Sequence, residues 1–158
     1  MDRLRNLIQY QFVIIFIWMG FIMGLSFLEA PLKFQAPSVT LAIGLEIGRL
    51  VFKVLNRVEL AFSLSLLLYL LLFSANVRIK VLGYLIIFIV LTQSSFLLPA
   101  LDERALIYIS GKEIEGASPH IYYVVLEILK VLALLFLGIW QLAAHKKKYS
   151  GEVLHPHS

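Results

Sequence analysis

Four blocks of about twenty mostly apolar residues, near 11–28, 59–75, 81–98 and 121–142, constrain this chain more than anything else in it. A hydrocarbon core of about 30 Å is crossed by about 20 helical residues at about 1.5 Å each, so each block has the length of a transmembrane helix. The blocks use most of the 158 residues and leave no stretch for a separate soluble domain. Composition agrees: 60% of residues are hydrophobic and 15% charged, against about 45–50% and about 25% in soluble domains. A soluble enzyme domain is excluded. The expected fold is all-α, an integral membrane four-helix bundle formed by a single domain over 1–145, followed by a basic, disordered tail over 146–158.

Between the blocks, punctuation is provided by proline, glycine and charge. Glu29, Ala30 and Pro31 follow the first block and do not form the small-residue cleavage site of a signal peptide, so that block is a retained helix. Pro31 and Pro37 disfavour helix at the residues before them, which predicts an irregular segment over 29–36 and a new helix capped by Ser38. Within 39–58, Glu46, Arg49, Lys53, Asn56 and Arg57 fall in an arc of roughly 100° on one helix. This is an additional amphipathic helix between spans one and two, lying at the interface or leading into span two; a polar stripe lining a water-filled cleft is the alternative. In the second span, Ser63 and Ser65 can bond back to carbonyls of their own helix.

The short basic turn over 76–80 makes spans two and three an antiparallel hairpin. Span three is expected to end at Pro99. A short surface helix over 101–109 then stops near Gly111. Ser118 and Pro119 form an N-cap and first-turn pair for the fourth span. Arg3, Arg5, Arg78, Lys80 and Lys146, Lys147 and Lys148 flank spans directly on one side. This places both termini inside, in a bacterial cytoplasmic membrane.

The few ionisable residues within or beside the spans are the candidate functional residues, because each costs about 2.5–3.5 kcal/mol on insertion scales and such residues face the bundle interior. Glu127 and Lys130, three apart, share a helix face and can pair. Glu29, Lys33, Arg49, Arg57, Glu59, Asp102 and Arg104 join them by topology, since all lie at the outer ends of the spans; Gln93 is at the same level. The set reads either as an ion-pair network locking the bundle or as a site for an ion, small solute or lipid headgroup.

Other chemistry has little support. Without cysteine there are no disulfides, thiolate metal sites or cysteine nucleophiles. Met19 and Met23 are one turn apart, yet two thioethers without a third soft ligand are a packing pair. His120, His145, His155 and His157 sit at helix ends or in the tail. No metal or cofactor is expected. Neither H-E-x-x-H nor G-x-S-x-G occurs, Gly44 and Gly48 fit close helix packing, and no enzymatic activity is expected.

Gly24, the run Ala30, Pro31, Leu32, Lys33 and Phe34, then Gly48, Arg49, Phe52, Asn56 and Glu59, and the segment 98–104 together resemble the transmembrane protein 205-like family of small four-span membrane proteins. The resemblance covers about 8–142. It implies a four-helix bundle with an unassigned role, some eukaryotic members being loosely associated with metal-drug resistance. The expected function is a multi-pass membrane protein, transport-related or regulatory, whose outer polar cluster binds a ligand. The alternative is a non-catalytic accessory or interaction subunit of a membrane complex. Expected partners are the lipid bilayer and other membrane proteins or further copies of the chain, with no nucleic acid.

Overall fold

The computed structural model describes residues 10–73, 75–112 and 118–154, with side chains as far as 147. Four helical rods long and apolar enough to cross a membrane run Gln11–Gln35, Leu41–Leu72, Val77–Ile109 and His120–Lys147, and no strand occurs among the described residues. The first rod packs against the second and fourth, and the third against the same two, which closes a four-helix bundle. Ile15, Trp18, Ile22, Leu66, Leu70, Ile79, Ile86, Val90, Leu134 and Leu137 form its apolar core. Outward, Val13, Ile17, Leu64, Leu71, Phe88, Leu91, Val125, Leu132 and Phe136 are exposed along all four rods. In water such continuous apolar faces would drive association; in a bilayer they are the lipid-facing surface.

Two prolines shape the first and third rods in the same way. The first is α-helical over Gln11–Ile22, π-helical over Met23–Glu29 and α-helical again over Ala30–Leu32, ending in a 3-10 turn over Lys33–Gln35. The third follows with α-helix over Val77–Thr92, π-helix over Gln93–Leu97 and α-helix over Leu98–Ile109. In both, the proline (Pro31 or Pro99) stands two residues beyond the π segment. Proline has no N–H for the carbonyl four residues back, and its ring collides with that carbonyl. A widened turn relieves both problems and lets the helix run on. The expectations of an irregular segment over 29–36, and of a third span ending at Pro99, are therefore corrected. The expected surface helix over 101–109 is the last part of the third rod.

The second rod is one helix over Leu41–Leu72. Thus 39–58 leads directly into span two, and no break precedes Glu59. Its N-cap is Thr40 rather than Ser38, the Thr40 hydroxyl accepting from Ile43 N at 3.3 Å. Asn76 caps the third rod through Arg78 N at 3.0 Å, and the Ser118 hydroxyl accepts from His120 N at 3.3 Å at the start of the fourth. Gly111, at φ 78°, ends the third rod. Its N–H bonds the Tyr108 carbonyl and the next N–H bonds that of Ile107, the Schellman pairing that a left-handed residue permits. The fourth helix continues to Leu154, through the start of the segment expected to be a disordered tail. Ala, His and Lys at 143–148 carry no breaker, and lysines near a helix C-terminus suit its dipole. His155 and His157 lie outside the described residues.

Close approach of the first and fourth rods depends on Gly138, where an added Cβ would sit 2.9 Å from Phe16 Cζ and 3.2 Å from Ile15 Cγ2. At Gly20 it would meet nothing within 4 Å. Gly138→Ala is expected to lower the thermal unfolding temperature in detergent, by the equivalent of about 1–3 kcal/mol of overpacking, and Gly20→Ala to leave it unchanged or raise it.

Candidate functional site

Lys130 is the largest buried charged side chain in the bundle, with 0% of its surface exposed. A lone ammonium at that depth would be prohibitive, and three acceptors surround it. Glu59 Oε1 lies 2.5 Å from Nζ, Gln93 Oε1 2.7 Å and Glu127 Oε1 2.9 Å. An ammonium has three N–H donors, so its capacity is matched. The second, third and fourth rods supply one acceptor each, and the first rod joins through Trp18, whose Nε1 donates to Glu59 Oε1 at 3.0 Å. Gln93 Nε2 donates to Glu127 Oε1 at 3.2 Å and to the Tyr123 carbonyl at 3.4 Å. Gln93 opens the π segment of the third rod.

One carboxylate oxygen is left over. Glu127 is 1% exposed, and its Oε2 has no hydrogen-bond partner. Glu127 also lines a cavity of about 470 Å³ enclosed by all four rods, with Phe27, Phe34, Phe52, Leu45, Leu101 and Val124 among its apolar walls. Ser26, in the other π segment, lines the same cavity and has a second buried, unpartnered oxygen, its Oγ. Pro31, Phe34 and His120 line it too and are exposed, so the cavity reaches the surface at that end of the bundle. It exists partly because Gly44 has no side chain. A Cβ there would be 2.1 Å from Phe34 Cε1, so Gly44 admits an aromatic ring rather than a neighbouring helix backbone.

Around the mouth the charges are paired. Arg49 donates to Asp102 through Nε at 2.7 Å and Nη2 at 3.2 Å, and Lys53 Nζ lies 3.1 Å from the same carboxylate. Lys33 pairs with Glu29 at 3.3 Å, with Nζ also 5.6 Å from the centre of the Phe34 ring and 5.8 Å from that of Phe52, within cation–π reach. Asn56 Nδ2 donates to Ser94 Oγ at 3.1 Å. The polar arc of 39–58 thus divides. Arg49, Lys53 and Asn56 face the third rod, while Glu46 and Arg57 are exposed.

Of the nine residues singled out from sequence, Glu59, Glu127 and Lys130 form the buried cluster. Lys33, Arg49 and Asp102 line the cavity with Glu127, and Glu29 holds Lys33. Arg57 joins neither group. Arg104 is half-buried and does not line the cavity. Trp18, Ser26 and Tyr123 were not legible as site residues, because a tryptophan, a serine and a tyrosine in an apolar run ordinarily signal packing. Their signal is register: Ser26 can be placed only once the turn Met23–Glu29 is known to be π-helical.

Toward the other end, Ser65 Oγ donates to Gln11 Oε1 at 3.0 Å, and Ser63 Oγ has no partner, so neither serine makes the expected bond to its own helix. Ile15 and Leu134, both 0% exposed, lie about one helical turn from Trp18 and Lys130 toward this inner polar group. The residues that line the cavity all lie on the other side of the cluster, so the cavity meets it from one end of the bundle only. No family model, curated protein or solved structure matches the chain.

Gln93→Leu keeps the bulk but strips Lys130 of one acceptor and Glu127 of one donor; a loss of about 1–3 kcal/mol is expected in detergent unfolding. Thr92→Val, one residue away, removes only a hydroxyl bonded to its own helix at Phe88 O, 2.9 Å, and is expected to be neutral.

Proposed function

We propose that this chain is a ligand-binding integral membrane protein, transport-related or regulatory in class, whose one-sided cavity takes a small amphipathic molecule. The observation that carries this reading is the pairing of an apolar cavity of about 470 Å³ with the unpartnered, buried Glu127 Oε2. Small-molecule sites are of this kind: about 300–1,000 Å³, mostly apolar, with a few placed polar groups. The apolar walls receive a hydrocarbon body. Glu127 Oε2 is an acceptor and selects a headgroup that donates, a hydroxyl or an amine. The confinement of the cavity to one side of the cluster argues for a binding site rather than an open channel. We place both termini on the cytoplasmic side of a bacterial inner membrane, because the basic residues at 78–80 and 146–148 flank their spans directly.

A second reading has its own support. Lys130, Arg49, Lys53 and Lys33 are all paired, which is what an accessory subunit with structural ion pairs requires. Under it the exposed apolar faces bind other membrane helices. The resemblance to transmembrane protein 205-like proteins is compatible with either.

Isotopically labelled dodecanol, added to the purified protein in lipid nanodiscs, separates the two. Saturable binding near one molecule per chain is expected. Ala105→Phe, which places a ring in the cavity, is expected to weaken it by about tenfold or more, or about 1.4 kcal/mol, with unfolding temperature unchanged. Absence of saturable binding, or equal binding by Ala105→Phe, would favour the subunit reading.

A further inference from the structure

We infer that the end of the bundle away from the cavity holds anionic phospholipid headgroups, bound by Arg78 and Lys80 of the third rod and Lys146 and Lys147 of the fourth. The third rod starts at that end, the fourth returns to it, and the two pack side by side. Four cations are thus gathered at one end of one helix pair. Arg78, Lys146 and Lys147 are exposed and Lys80 is half-buried, and none has an ion-pair partner among the described residues. Around the cavity and the buried cluster the opposite holds. Lys33, Arg49, Lys53 and Lys130 each have a carboxylate oxygen within 3.3 Å.

The fold supplies these cations with no counter-charge. Among the described residues, no acidic side chain lies inward of Glu59 on the second rod or of Glu127 on the fourth, and those of the first and third rods are at the mouth. Arg78 and Lys80 also occupy the first turn of the third rod, which contains no acidic residue. The helix dipole is positive there, so two cations in that turn are unfavourable until an anion joins them.

Depth decides which anion that is. Leu70 of the second rod packs on Gly83 of the third, which sets Tyr69 and Tyr84 at one level. Ile15 and Phe16 of the first rod pack on Gly138 of the fourth, and Tyr10 and Trp140 lie beyond that contact toward the same end. Each rod therefore has a tyrosine or tryptophan there, as membrane helices do at the edge of the hydrocarbon. From Tyr84 to Lys80 and Arg78, and from Trp140 to Lys146 and Lys147, is about 6–11 Å of helix. A headgroup layer is about 5–7 Å deep on each side of the hydrocarbon, so the cations stand at phosphate level. Nearer the middle the same rods expose Val81, Leu85 and Phe88, and Leu132, Phe136 and Ile139. Headgroup and acyl chains both find matching surface on this helix pair.

Electron paramagnetic resonance of chain-labelled phosphatidylglycerol and phosphatidylcholine, with the full chain in phosphatidylcholine bilayers, reads the selection. The wild type is expected to hold phosphatidylglycerol about fivefold more strongly at low salt, the attraction that one surface cation supplies. In 1 M salt, where the screening length is about 3 Å, the preference is expected to fall toward unity. A variant with Arg78→Gln, Lys80→Gln, Lys146→Gln and Lys147→Gln is expected to lose it with unfolding temperature unchanged, while Lys53→Gln, at the other end, keeps it. The two half-variants, 78 with 80 and 146 with 147, are each expected to lose part and make the same test if the full variant fails to fold. Equal association of the two lipids with the wild type, or a preference that survives all four substitutions, would overturn the inference. So would displacement of the labelled lipid by glycerol phosphate at constant ionic strength, which would mark a site for a soluble anion. None of these readings depends on what the cavity binds.

Discussion

The ammonium of Lys130 is the point on which the bundle turns. Its three acceptors come from the second, third and fourth rods, and the first rod reaches one of them, Glu59, through Trp18 Nε1. In hydrocarbon the apolar faces of helices gain little by meeting one another, since lipid tails are as apolar as leucine. Polar groups, by contrast, have no alternative partner there except one another. A single buried cation can therefore set the register of all four rods. Each of Glu59, Gln93 and Glu127 must arrive at the right height and on the inward face.

That requirement connects the local backbone to the site. Gln93 starts the wide turn that precedes Pro99, and Ser26 lies in the wide turn that precedes Pro31. The two π segments are what the prolines demand of a helix that continues. They also fall beside the cluster and the cavity, and π turns recur at functional sites. Beyond them the first and third rods carry Lys33 and Asp102 to the mouth, where Gly44 leaves room for Phe34. The cavity is thus a product of the irregular backbone, not a gap in otherwise regular packing.

Much of this was legible before any coordinates. Four spans followed from block length, the hairpin from the short turn before Arg78, and the Ser118 cap and Gly111 stop from local chemistry. Glu127 and Lys130 were a pair by spacing. What escaped was whatever depends on context. A proline reads as a helix end in water, where nothing rewards continuation; in a membrane span the need to satisfy backbone groups keeps the helix going through a π turn. Segment 39–58 is amphipathic by itself, yet most of its polar arc faces Ser94 and Asp102 of another helix instead of water. The unpartnered Glu127 Oε2 could not be read from sequence at all, because it depends on three other side chains using Oε1 and Nζ.

A double-mutant cycle on Glu59 and Lys130, read as unfolding free energy in detergent, tests most directly whether this ion pair holds the bundle. Lys130→Met alone leaves two carboxylates without their cation and is predicted to cost about 3–5 kcal/mol, while adding Glu59→Gln should restore a large part of that loss. Additive losses in the double variant would contradict the account.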